Sequence, residues 1–156
     1  MFPEGFLQEK RIGCNLEAAS KKRVLEQLGQ RLAESIPELT QDLVFDALLE
    51  RERLGSTGLG KGIALPHARM PEVSQAIGAF IKLPKGIDFD ALDGDPVDLA
   101  FAMLVPEEAT DEHLQLLSKL ASMFSDSAFC ASLREAETDQ DLYQLIRQRE
   151  AAIANK

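Results

Sequence analysis

The spacing of apolar residues changes period twice along the 156-residue chain, and the changes mark three stretches. From Ser20 the spacing is helical: Val24, Leu25, Leu28, Leu32 and Ile36 recur at one-turn intervals, with Lys21, Lys22, Arg23, Glu26 and Gln27 between them. Pro37 is expected to end this helix, because the residue before a proline is driven out of the α region. Thr40 can cap a second helix, with Asp42 complementing the dipole in its first turn. Val44, Leu48 and the stem of Arg51 lie on its inner stripe, Leu43 and Ala47 widen that stripe, and Gly55 is the expected C′ residue.

Beyond His67 the period falls to two. Gln75–Leu83 sets Ile77, Ala79, Ile81 and Leu83 on one face and reads as a half-buried strand. Pro84-Lys85-Gly86 is expected to turn the chain before a short strand at Ile87-Asp88-Phe89, and Asp93-Gly94-Asp95-Pro96 makes a further turn. Val97–Val105 is almost continuously apolar between two prolines, the pattern of a central strand buried on both faces. Helical spacing then returns three times. Thr110 can cap a helix with Leu114, Leu117, Ala121 and Phe124 facing inward. Asp126 or Ser127 can cap a short one carrying Phe129, Cys130 and Leu133. Thr138-Asp139-Gln140-Asp141 resembles a capping box before Leu142, Leu145 and Ile146. Residues 1–19 signal weakly, with Phe6-Leu7 and Ile12 suited to a short strand or a packed arm. Helices, then strands, then helices predict an α/β fold. It is a mixed β-sheet flanked by helices on both sides, in one domain over residues 1–156 with its core from about 10 to 150.

Composition changes this picture little. Hydrophobic residues at 45% and charged residues at 28% describe an ordinary globule. A net charge of -9 argues against nucleic acid, whose phosphates call for a basic surface. Cys14 and Cys130 form no pairing or metal motif and suit a reducing compartment. No stretch approaches the roughly 18 apolar residues of a membrane span, and the first residues lack the apolar segment of a secretory signal. A cytoplasmic location without membrane insertion is therefore expected.

The candidate chemistry lies in Gly55–Arg69. Four of the ten glycines fall between positions 55 and 62, followed closely by Pro66-His67. Gly55, Gly60 and Lys61 satisfy the opening of a nucleotide-binding P-loop. Position 62, however, is glycine where a hydroxyl must hold magnesium, and a helix precedes where a strand is required. The two histidines, His67 and His113, offer no zinc spacing, and no G-x-S-x-G elbow accompanies them, so no metal or cofactor is expected. Nucleophilic attack by the imidazole itself remains, since a neutral ring can attack phosphorus near neutral pH. Ser56, Thr57, the backbone amides of Gly58, Gly60 and Gly62, and an arginine guanidinium are candidates to hold phosphoryl oxygens. Arg51, in the last turn before the glycines, suits either that role or complementing the helix dipole. His113 falls in the first turn of its helix, where unpaired N–H groups favour an anion.

The run Leu48–His67, through Arg51, Gly55-Ser56-Thr57-Gly58-Leu59-Gly60-Lys61-Gly62 and Leu65-Pro66-His67, resembles the enzyme IIA domain of the fructose–mannitol class of the bacterial phosphotransferase system. Within that family it is most similar to the free-standing nitrogen-related branch. Val97–Pro106 and the helix start at Thr110–Leu117 match as well, so the resemblance covers about residues 10 to 150. It implies a mixed sheet with helices on both sides. It also implies that His67 takes a phosphoryl group from a phosphohistidine on the small carrier HPr or its nitrogen-branch (NPr-type) counterpart, with His113 and Arg51 completing the site. A chain with no room for IIB or IIC domains is expected to be a regulatory phosphocarrier. A sugar-specific IIA passing phosphate to a IIB component, or a regulatory binding module acting unphosphorylated, are the alternatives.

Overall fold

The computed structural model describes residues 2–108 and 110–154, with side chains at all of these except 110 and 154. A 3-10 turn (Glu9–Arg11) leads into β1 (Ile12–Gly13), followed by α1 (Lys21–Ala33) and α2 (Gln41–Arg53). The middle of the chain supplies β2 (Gly58–Gly60), β3 (Ile63–Ala64), β4 (His67–Met70), β5 (Ile77–Ile87) and β6 (Val97–Pro106). α3 (Thr110–Phe124), α4 (Ser127–Glu135) and α5 (Asp139–Ala154) complete it. One six-stranded sheet runs β1-β5-β6-β3-β2, with β4 paired to β6 beyond β3. β5–β6 and β2–β3 are antiparallel and the other pairs parallel, so the sheet is mixed.

β6 divides the core. Leu99, Phe101, Met103 and Val105 face a cluster with Phe6, Leu120, Leu133, Leu142 and Ile146. Ala100, Ala102 and Leu104 face the other way, onto Val24, Leu28, Val44 and Leu48 of α1 and α2. This is strand alternation with both faces covered, which is why Val97–Val105 reads as a continuous apolar run. The caps expected at Thr40, Asp126 and Thr138 form, and Ser20 caps α1 as well. Ser20 accepts from the Arg23 amide, Thr40 from Leu43, Asp126 from Ala128 and Phe129, and Thr138 from Asp141. The Thr110 side chain lies outside the described residues. Among those residues, no helix is long and apolar enough to cross a membrane.

Six local expectations are corrected. β5 is buried on both faces rather than half-buried, because Phe80 packs into one cluster while Ala79 and Ile81 pack into the other. Even Lys82 is only 6% exposed; its ammonium donates to the Arg134 carbonyl at 2.6 Å and to that of Ala136, at the end of α4. Pro84-Lys85-Gly86 makes no turn. β5 runs through to Ile87, and the register shift between Lys82↔Leu99 and Ile87↔Val97 absorbs the proline that cannot join the ladder. Asp88 and Phe89 consequently lie outside any strand. On α3 the buried residues are Leu116, Leu120, Met123 and Phe124; Leu117 and Ala121 pack partly buried against the same cluster as expected, while Leu114 is 62% exposed. His113 takes the buried position at the start of that helix. Leu43 likewise falls on the solvent side of α2, which packs through Val44 and Leu48. Ile36 lies past the end of α1, which stops at Ala33.

The weakly signalled first residues form a packed arm. Phe2, Phe6 and Leu7 are buried, and the 2%-exposed Arg11 guanidinium donates to the carbonyls of Gly5, Phe6 and Gly78 and to Ser35 Oγ. A second polar knot fixes the end of α2. Glu52, also buried, accepts from Lys21 Nζ at 2.9 Å, from the Thr57 amide at 3.1 Å and from the Thr57 hydroxyl. It joins the start of α1, the end of α2 and the bend before β2. Removing its carboxylate leaves the partly buried Lys21 ammonium to the more distant Asp90 at 3.7 Å and deprives both Thr57 donors of their acceptor, so Glu52→Ala is expected to cost about 3 kcal/mol. Urea unfolding monitored by circular dichroism checks this; a loss below about 1 kcal/mol, the size of an exposed pair, would contradict it.

Candidate active site

β3 and β4 follow one register along β6: Ile63 pairs with Leu99, Ala64 with Ala100 and His67 with Met103. The chain is a single strand line interrupted at Leu65-Pro66. Pro66 has no N–H to give, and its carbonyl accepts from the Met103 amide at 2.9 Å. Alternation along β4 buries Ala68 and Met70 and turns His67 and Arg69 together to the opposite face. There they line a cleft with Arg51 and Leu54 from the end of α2, and His113 and Leu114 from the first turns of α3.

The His67 Nδ1 lies 2.8 Å from the Leu65 carbonyl oxygen. A carbonyl only accepts, so Nδ1 carries the proton and Nε2 holds the free lone pair. The His113 ring stands edge-on to His67, centroids 5.3 Å apart and planes at 74°. Its Nδ1 accepts from Arg69 Nε at 3.3 Å, while its Nε2 is buried without a partner among the described residues. Arg51 Nη1 donates to the Gly55 carbonyl at 3.0 Å, which holds the guanidinium across the end of its own helix. The cleft thus gathers an imidazole lone pair, a buried ring nitrogen with no partner among the described residues, and two guanidinium groups, a locally cationic lining on a chain that is acidic as a whole.

Residues 5–149 match the family model for the EIIA 2 component of the phosphoenolpyruvate-dependent sugar phosphotransferase system. The chain belongs to this family. The nitrogen regulatory protein of Pseudomonas aeruginosa is 46% identical over 143 residues, covering 92% of this chain and 93% of that protein. The crystal structure of nitrogen regulatory protein IIA-Ntr from Neisseria meningitidis aligns with a TM-score of 0.85 at 44% identity, over 90% of this chain and 95% of that one. IIA mannitol from Escherichia coli, 24% identical with a TM-score of 0.75 over 89% and 97% of the two chains, shares the fold. As an EIIA chain, the protein is a component of phosphoryl transfer.

Of the residues singled out by sequence in this EIIA chain, the fold brings His67, His113 and Arg51 together. The Gly-rich residues lie elsewhere. The Ser56 hydroxyl donates to the Phe89 carbonyl at 2.8 Å and accepts from the Gly58 amide, and both donors of Thr57 go to Glu52. Gly60 lies against Asp93, while Gly62, at φ +85, leaves room for the Arg134 guanidinium, which a Cβ would approach to 2.5 Å. The strand register sets Ile63 four residues before His67, about 13 Å along the sheet. These groups shape the hairpin and do not line the cleft. Arg69 is the contributor missed by sequence reading; its signal was the period-two spacing from His67 on a strand.

Both rings are held below the ordinary histidine pKa. Burial does most of this at His67, Arg51 and Arg69 add to it, and the Leu65 carbonyl and Glu52 oppose it. At His113 burial again leads, followed by His67, Arg69 and Arg51. The unfolded chain therefore takes up these protons first, at about pH 6.5, and the folded state only lower down. Stability is full above that pH and falls as pH drops from there through the folded values. A His67→Gln/His113→Gln double variant should lose less stability between about pH 7 and pH 5 than the parent, read from urea midpoints at each pH. Equal losses would contradict the assignment.

Proposed function

We propose that the chain is a phosphohistidine carrier in which His67 Nε2 accepts a phosphoryl group from a phosphohistidine on an HPr-type donor, HPr or its nitrogen-branch counterpart. The hydrogen bond from His67 Nδ1 to the Leu65 carbonyl carries this reading, because it leaves one ring nitrogen as nucleophile and fixes its direction. In the transfer, the Nε2 lone pair forms a bond to phosphorus as the donor's P–N bond breaks and its electron pair returns to the donor imidazole. Little covalent work falls to the protein; the demand is to hold the in-line geometry and the equatorial oxygens. Arg51 and His113, both lining the cleft, are the groups that hold those oxygens. Depressed basicity keeps His67 neutral near pH 7, as an attacking nitrogen requires.

The output of this carrier is regulatory. Relatives named nitrogen regulatory protein, which match over most of the chain, support that reading. The phosphoryl group adds a charge of about -1.5 to -2 to a cleft lined by arginines, enough to change which surfaces dock there. The two free thiols, Cys14 and Cys130, suit a reducing, cytoplasmic setting.

Incubation with phosphoenolpyruvate, enzyme I and the carrier is expected to add one phosphoryl group to the intact mass, and His67→Ala to add none. Arg51→Ala and His113→Ala should slow uptake by roughly 100-fold, the effect of deleting one donor to a developing charge. Full labelling of the His67→Ala variant would overturn the proposal.

A further inference from the structure

We infer that Arg69 is a positioning residue: through its Nε contact to His113 Nδ1 it fixes His113 as the Nε2–H tautomer, so that this ring meets the phosphoryl group as a donor. The inference rests on the acceptor role proposed for His67 and adds a residue to that site. Arginine carries only donors, so its Nε–H at 3.3 Å requires a lone pair on His113 Nδ1. A neutral ring then has its proton on Nε2, and that atom is buried with no partner among the described residues. The opposite tautomer would set Nδ1–H against Nε–H and turn an Nε2 lone pair toward the oxyanion. The doubly protonated ring is disfavoured by burial and by the nearby arginines.

A buried N–H without an acceptor is costly to keep, and a site that exists to receive an anion accounts for it. His113 is 6% exposed and stands 5.3 Å from His67 between ring centroids. The group beside the His67 ring is thus a fixed donor awaiting an acceptor. Arg69 is two residues from His67 on the same strand face, so one rigid element carries both the nucleophile and the residue that orients its partner. A second ring nitrogen held by a partner is a common way to set the tautomer of a functional imidazole.

The test compares the parent protein with Arg69→Met and Arg69→Lys, reading the His113 tautomer by ring 15N NMR at neutral pH and phosphoryl uptake from the phosphorylated carrier. The parent is expected to show His113 as Nε2–H. Arg69→Met should give a mixed tautomer and a kcat lower by roughly ten- to hundredfold, as for lost partners of functional imidazoles. Arg69→Lys, which keeps a donor, should restore both in part. A parent ring protonated on Nδ1, or an Arg69→Met ring still held as Nε2–H, would overturn the inference whatever the rate does. A parent that takes up no phosphoryl group would instead overturn the role of His67, and the tautomer measurement would still decide that of Arg69.

Discussion

The site depends on how the Ile63–Met70 segment pairs with β6. That strand is buried on both faces, and its parallel register fixes where each residue of the segment stands. Because Pro66 interrupts the ladder without breaking the register, the Leu65 carbonyl is available to the His67 ring two residues on. Strand alternation then commits Arg69 to the side that His67 faces. One backbone constraint therefore sets the proposed nucleophile, its tautomer and the residue beside it. α2 and α3, packed on opposite faces of the sheet, bring Arg51 and His113 to the same edge.

Polar groups buried outside the cleft keep this edge rigid. Glu52 ties α1 and α2 to the bend at Thr57, and the Thr57 carbonyl accepts from the Leu65 amide at 3.0 Å. The knot is thereby one hydrogen bond away from the residue that holds His67. At the other end of the hairpin, Arg134 bridges the Lys61 carbonyl and both oxygens of Asp98, and the Lys61 amide donates to Asp93. The glycines serve this scaffold. They let the chain turn where side chains of the 90s loop and α4 come close.

Much of the fold was legible because its signals are local. Helix caps at Thr40, Asp126 and Thr138, and the apolar run of β6, depend on neighbours within a few residues. The misreadings share a different cause, which is partners distant in sequence. Lys82 looked like a solvent-facing residue because the carbonyls that satisfy it lie more than 50 residues on, at the end of α4. Leu114 looked like a core residue because helical spacing gives a period and not a phase; His113 took the inward position. Ser56 and Thr57 looked like phosphate donors because nothing local reveals that Phe89 and Glu52 already use them. His67, Arg51 and His113 emerged from a motif and a resemblance, while their meeting in one cleft is a property of the sheet.

The central claim is that the Leu65 hydrogen bond directs phosphorylation to one nitrogen of one ring. NMR of the phosphorylated, 15N-labelled protein tests it, through coupling between phosphorus and the ring nitrogens of His67. The account predicts phosphorus bonded to Nε2 with the Nδ1 proton retained. Phosphorus bonded to Nδ1 would contradict it.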